Sequence, residues 1–204
     1  QLEPYLCDFV GDAFGLLGRI RSYTRGLIRE FAAQGTPVDI LQVGNEITAG
    51  ILWPVGKLYL DDGTQRWPAF TDLLKAGIAG ARQGAAEAQH PLRIMLHIDR
   101  GGKLGDTRWF FDHMVEYAVP YDIIGQSYYP MWHGSIADLQ ANLNDSVARY
   151  DKPVLLAELS YPWTFADGDG RGNIVTADTP LPDADRFPAT PAGQAAFYEA
   201  VRAV

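Results

Sequence analysis

The chain has 204 residues, a length that fits one domain and allows a sizeable core. Its formal net charge is −8 at pH 7, and it contains no run of Lys or Arg. Because binding to nucleic-acid phosphates requires a basic face, this charge argues against a nucleic-acid partner. No apolar run is long enough to cross a bilayer, so a membrane partner is not expected either.

Helical and extended segments alternate along the chain. Apolar residues at helical spacing predict the first helix, and Gly35-Thr36-Pro37 ends it. Short apolar runs between the helices predict strands. In chain order, the pattern predicts helices near 16–34, 67–88, 107–117, 136–150 and 191–204, and strands at 38–43, 92–97, 122–127 and 153–158. Residues 160–190 are rich in Gly, Pro and Asp and are predicted to form a long loop after the fourth strand.

This alternation predicts an α/β fold with parallel strands covered by helices. Both a doubly wound sheet and a (β/α)8 TIM barrel fit the order of elements. No Gly-rich phosphate turn follows the first strand, and polar or aromatic side chains follow every strand, which favours the barrel. Since a barrel has eight strands and only four are predicted, we expect residues 1–204 to form a single, partial barrel domain of about four βα units.

Two carboxylates lie where apolar strands end. Glu46 follows the first predicted strand, directly after Asn45, and Glu158 ends the fourth. A carboxylate beside a buried strand is costly unless it is hydrogen-bonded or used in chemistry. One such Glu would more simply pair with an Arg or cap a helix, but two of them, one preceded by Asn, favour a catalytic pair.

Three segments resemble glycoside hydrolase family 53, the arabinogalactan endo-β-1,4-galactanases. The run from Val38 through Asn45-Glu46 to Gly56 is similar to the family's acid/base motif. The run Ile124–Gly134 resembles the sixth strand and its loop, and Val154–Trp163 resembles the seventh strand with the nucleophile. The resemblance implies that the four strands are β4 to β7 of the barrel.

The resemblance implies a retaining glycosidase that cleaves β-1,4-galactosidic bonds. Glu46 would be the acid/base and Glu158 the nucleophile, about 5–5.5 Å apart across the scissile bond. Asn45 would bind the sugar 2-hydroxyl, a contact that strengthens in the transition state. Alone, Asn45 could equally be a turn residue.

Further side chains near the strand ends are candidates for substrate binding. His97 could bind a sugar hydroxyl or a catalytic carboxylate, or be a satisfied strand-end histidine. Because side chains alternate along a strand, one of Tyr128 and Tyr129 should hold the nucleophile, and we favour Tyr128. The aromatic rings could stack on galactose or anchor loops. The full candidate set is Asn45, Trp53, His97, Tyr128, Trp132, His133 and Trp163.

The segment 167–173 alternates acidic or amide side chains with glycines. Such oxygen donors can wrap a hard cation such as Ca²⁺, although the pattern is not an EF-hand. The resemblance implies a calcium site in which Asp167, Asp169 and Asn173 give side-chain oxygens and Arg171 its backbone carbonyl. The alternative is a solvated Asp-Gly turn.

The resemblance also implies a galactan or arabinogalactan substrate, a secreted or cell-surface location, and no organic cofactor. Two alternatives remain open at this point. Another retaining barrel glycosidase, such as a β-mannanase or β-galactosidase, would use the same chemistry. An inactive carbohydrate-binding remnant would follow if four strands cannot form a working site.

Overall fold

The computed structural model describes residues 13–204. In that part of the chain, the helices are α1 Ala13–Ala33, α2 Trp67–Ala88, α3 Leu104–Glu116, α4 Pro130–His133, α5 Ile136–Tyr150 and α6 Pro191–Arg202. The strands are β1 Ile40–Gln42, β2 Gly50–Ile51, β3 Gly56–Lys57, β4 Arg93–Ile98, β5 Ile123–Tyr128 and β6 Val154–Leu159.

The main sheet has the strand order β1-β4-β5-β6. β1 runs parallel to β4, with Leu41 opposite Ile94, as expected for strands joined through a helix. The four predicted strands are all present. β2 and β3 form a separate antiparallel pair that the sequence pattern does not predict. No helix or strand lies between β6 and α6, which agrees with the predicted loop over residues 160–190.

Local sequence signals explain several helix boundaries. α5 begins at a capping box, in which Ser135 Oγ accepts the Asp138 N–H and Asp138 Oδ2 accepts the Ser135 N–H. The Thr190 side chain caps α6 by accepting the Gly193 N–H at 3.0 Å. α2 ends at Ala88, and the following residue, Gln89, caps it in a left-handed conformation with φ 53°.

The chain divides into two compact units. Among the described residues, the first contains 13–97 and Phe110–Ile124, and the second contains Ile98–Trp109 and Gly125–Val204. In the first unit, α1 packs closely on α2, because a Cβ at Gly80 would lie only 2.1 Å from the Arg21 carbonyl oxygen. In the second, the buried core includes Tyr128, Leu139, Tyr161, Phe187 and Phe197.

Among residues 13–204, none of the helices combines the length and apolar character needed to cross a membrane.

Candidate active site

The turn after β1 brings Glu46 out of the strand. The Val43 N–H still donates to the Met95 carbonyl at 3.1 Å, and the chain then turns at Gly44 with φ 80°. A Cβ at Gly44 would lie 2.5 Å from Ile47 Cγ2, so the turn requires glycine for both backbone conformation and space. Glu46 itself is left-handed, with φ 47° and ψ 55°. Non-glycine residues in this region are uncommon and concentrate at functional sites.

Glu46 is half-buried and has a histidine beside it. One Glu46 carboxylate oxygen and one ring nitrogen of His97 lie within 4.8 Å of each other. His97 is fully buried near the C-terminal end of β4. This position supports the interpretation that His97 acts on a carboxylate. Asn45 is exposed, and its side-chain oxygen accepts a hydrogen bond from Gln42 at 3.0 Å; its sugar contact stays a prediction.

Glu158 is half-buried in β6 and is held by a tyrosine. The Tyr129 hydroxyl donates to Glu158 Oε2 at 2.6 Å. A hydroxyl donor at this distance to a carboxylate makes a strong, charge-assisted hydrogen bond. It also fixes one carboxylate oxygen, which orients the other.

The prediction that Tyr128 holds the nucleophile is wrong. Its side chain is fully buried, stacks on Phe197 of α6 with ring centroids 6.1 Å apart, and donates its hydroxyl to the Gly134 carbonyl at 2.9 Å. Burial raises the pKa of Tyr128 well above its ordinary value. Because neighbouring side chains of an extended segment point to opposite sides, Tyr129 takes the role instead.

His133 does not lie on an open surface. Only 6% of the residue is exposed, and its Nδ1 accepts the backbone N–H of Tyr129 at 3.0 Å. Burial lowers its pKa, which favours the neutral ring. This contact explains how the residue supports the end of β5, whereas direct sugar binding by His133 stays a prediction.

The three candidate tryptophans are exposed. Trp53, Trp132 and Trp163 have 60%, 52% and 57% of their surface accessible. The Trp132 ring meets the Tyr129 ring edge-on, with centroids 5.5 Å apart, which places an aromatic surface next to the residue that holds Glu158. Trp53 lies between β2 and β3, where the Lys57 ammonium is 5.2 Å from its ring centroid. Exposed rings of this kind suit carbohydrate stacking.

In the predicted calcium segment, the backbone folds around Asp167. Its Oδ1 accepts the N–H groups of Asp169 and Gly170, and its Oδ2 accepts that of Gly172. These hydrogen bonds lower the pKa of Asp167 and keep it ionised. The Asn173 amide nitrogen donates to the Phe165 and Ala166 carbonyls, so its oxygen stays available as a ligand.

The family model described as glycosyl hydrolase family 53 matches residues 12–204. The chain belongs to this family. An uncharacterised protein of Niallia circulans is 38% identical over 180 residues, covering 87% of this chain and 48% of that protein. An arabinogalactan endo-β-1,4-galactanase of Cellvibrio japonicus is 30% identical over 199 residues, covering 97% of this chain and 51% of that enzyme.

A solved structure supports the same assignment. The family 53 catalytic domain of Ignisphaera aggregans matches with a TM-score of 0.78 and 30% identity, over 94% of this chain and 50% of that one. The predicted fold class, an incomplete (β/α)8 barrel, is therefore confirmed. The chain spans about half the length of the relatives it matches.

Proposed function

We propose that this protein hydrolyses β-1,4-galactosidic bonds in galactan or arabinogalactan with retention of anomeric configuration. Glu46 is the acid/base and Glu158 the nucleophile. The observation that carries the proposal is the 2.6 Å hydrogen bond from Tyr129 to Glu158, which holds a strand-end carboxylate in one orientation. Family membership supports the reaction class, and similarity to the arabinogalactan endo-β-1,4-galactanase of Cellvibrio japonicus supports the substrate.

The chemistry follows from the two carboxyl groups. Glu158 attacks the anomeric carbon through its free oxygen and forms a galactosyl ester, while protonated Glu46 gives its proton to the departing oxygen. Glu46, now ionised, takes a proton from water, and the hydroxide displaces Glu158 from the ester. Two inversions at the anomeric carbon return the β configuration. Asn45 binds the 2-hydroxyl, and the exposed tryptophans offer stacking faces for other sugar units.

Hydrolysis assays test the substrate class. We expect reducing ends to appear from galactan but not from mannan or cellulose, with the β-anomer of the product formed first. Glu158→Gln and Glu46→Gln should each lower kcat by at least about a hundredfold, whereas Glu30→Gln on the exposed face of α1 is the matched control. Release from mannan alone would reject the galactanase assignment, and galactan binding without any release would support the carbohydrate-binding alternative.

Azide distinguishes the two roles on an aryl galactoside substrate. With Glu46→Ala, azide should attack the ester and give a β-galactosyl azide. With Glu158→Ala, it should attack the substrate directly and give the α-azide. The opposite pattern would exchange the two assignments.

Ca²⁺ binding at residues 167–173 is part of the proposal. The donor set of Asp167, Asp169, the Arg171 carbonyl and Asn173 contains only oxygen, as Ca²⁺ prefers. Asp167 Oδ2 accepts only the Gly172 N–H and has a second lone pair for a cation. Millimolar Ca²⁺ should raise the melting temperature of the protein but not of Asp167→Ala; equal shifts would reject the site.

We also propose that the protein acts outside the cell or at its surface, since a polysaccharide is too large to cross a membrane. Galactanase activity in the culture medium or on intact cells of the source organism would support this, and activity confined to the lysate would contradict it.

A further inference from the structure

We propose that His133 is a positioning residue for the reaction: its Nδ1 accepts the backbone N–H of Tyr129 and thereby fixes Tyr129, whose phenol holds Glu158. This inference rests on the proposed function, because it assigns to Glu158 the role of nucleophile. It gives His133 a task without any contact to the sugar.

The His133 ring hydrogen-bonds the backbone through Nδ1. Nδ1 lies 3.0 Å from the backbone nitrogen of Tyr129, which can only donate, so Nδ1 is unprotonated and accepts. A neutral histidine with its proton on Nε2 satisfies this contact. Burial of the ring lowers its pKa and keeps it in this neutral form.

The residue that His133 anchors, Tyr129, directly follows the end of β5. Ser127 is still in the strand, and Tyr129 has left it with φ −123° and ψ 103°. The direction of the Tyr129 side chain depends on how the chain leaves the strand. The four-residue helix α4 brings the His133 ring back to the end of β5, so that the seven residues 127–133 form a closed loop.

Two glycines after β4 pack closely against the same loop. A Cβ at Gly101 would lie 2.7 Å from the Ser127 carbonyl oxygen, and one at Gly102 would lie 2.2 Å from the His133 carbonyl oxygen. The Gly101 N–H also donates to the Ser127 carbonyl at 3.0 Å. The loop after β4 thus packs against Ser127 and against His133, which indicates a fixed arrangement rather than a chance approach.

A double-mutant cycle tests whether His133 acts through Tyr129. His133→Phe keeps an aromatic ring and removes the Nδ1 acceptor. We expect it to lower kcat on galactan about tenfold with little change in KM, because misorientation of a reacting group weakens transition-state binding. In the Tyr129→Phe background, His133→Phe should cause no further fall, since the phenol that it positions is already lost.

His133→Asn provides the conservative variant. Its side-chain oxygen can accept the Tyr129 N–H in place of Nδ1, so we expect kcat to recover most of the loss. If His133→Phe does not fold, His133→Leu, a smaller apolar residue that also lacks the acceptor, takes its place in the cycle. His90→Asn, at a half-buried histidine in the other unit that bonds Asp39, is the control and should leave kcat unchanged.

Amide hydrogen exchange provides a readout that needs no activity. The Tyr129 N–H should exchange at least about tenfold faster in His133→Phe than in the wild type, and remain protected in His133→Asn. An unchanged exchange rate of the Tyr129 N–H in His133→Phe would overturn the proposal, and so would an unchanged kcat. The proposal would also fail if His133→Phe lowered kcat by the same factor in the wild type and in the Tyr129→Phe background. If the wild type releases no sugar from galactan, the proposed function fails, while the exchange experiment still decides the role of His133.

Discussion

Replacing Tyr129 with Phe removes one oxygen atom, the donor that lies 2.6 Å from Glu158 Oε2. The ring remains, so its edge-on contact with Trp132 is kept. A hydrogen bond to a charged partner contributes about 1.5–3 kcal/mol. If this bond is needed to orient the attacking carboxylate, the loss corresponds to a roughly tenfold to hundredfold lower kcat/KM.

The assay is the initial rate of reducing-sugar release from galactan, with Tyr128→Phe as the matched control. That change also removes a phenolic oxygen, but one that bonds the Gly134 carbonyl in the packed interior of the second unit. We expect Tyr128→Phe to lower the melting temperature and to leave kcat/KM nearly intact. A Tyr129→Phe enzyme as fast as the wild type would refute the assignment, as would a Tyr128→Phe enzyme that is the slower of the two.

Three further predictions concern stability. Gly44→Ala should lower the free energy of unfolding by about 3 kcal/mol, since a positive φ strains alanine and its Cβ would overlap Ile47. Gly63→Ala, at φ 83° with open space around it, should show only the smaller backbone cost, and equal losses in urea unfolding would contradict the packing argument. The pKa of His133 is lowered in the folded state. The contribution of the neutral ring to stability is therefore complete above the ordinary histidine pKa of about 6.5 and is lost as pH falls towards the lowered value. Urea unfolding from pH 7 to 5 should show this loss, and His133→Asn should remove this pH dependence. Phe197→Ala should cost about 3–5 kcal/mol in the same assay, because this ring is fully buried and stacks on Tyr161 at 4.1 Å.

Periodicity and strand-end chemistry were sufficient to predict the α/β fold. The helix expected at 67–88 is α2, Trp67–Ala88, and the helix expected at 136–150 is α5, Ile136–Tyr150. Both have a strong boundary signal, a proline in the first turn for α2 and a Ser-x-x-Asp capping box for α5. Three of the four strands are predicted one residue too early, and the first, predicted at 38–43, is shorter at both ends, because apolar runs do not mark the residue at which the ladder of hydrogen bonds ends.

That one-residue error bears directly on the site. β5 was expected to end at Ser127 and ends at Tyr128. Alternation along a strand tells which residues share a side, but it does not tell which side faces the helices. Contacts between Tyr128 and Phe197, 69 residues away in sequence, settle that question, and no local pattern contains them. The choice between the two tyrosines therefore needed the tertiary structure.

The sequence pattern does not predict the β2–β3 pair, for a similar reason. Each strand has only two residues, so neither offers an alternating pattern to detect. Its geometry depends on close backbone packing instead, because a Cβ at Gly50 would lie 2.0 Å from the Gly56 carbonyl oxygen. The two glycines are visible in sequence, but their mutual contact is not.

Within the segment Ser127–Gly134, residues that contact the candidate site lie next to residues that stabilise the fold, so a sequence motif cannot tell the two kinds apart. Tyr129 binds the proposed nucleophile, whereas Tyr128 beside it fills the core, and His133 beside exposed Trp132 is buried against the backbone. A match to the segment thus identifies the family but assigns roles only to the segment as a whole. Side-chain direction makes the distinction: one tyrosine faces a carboxylate and the other a helix, and the buried histidine ring fixes the point where the chain turns from one side to the other.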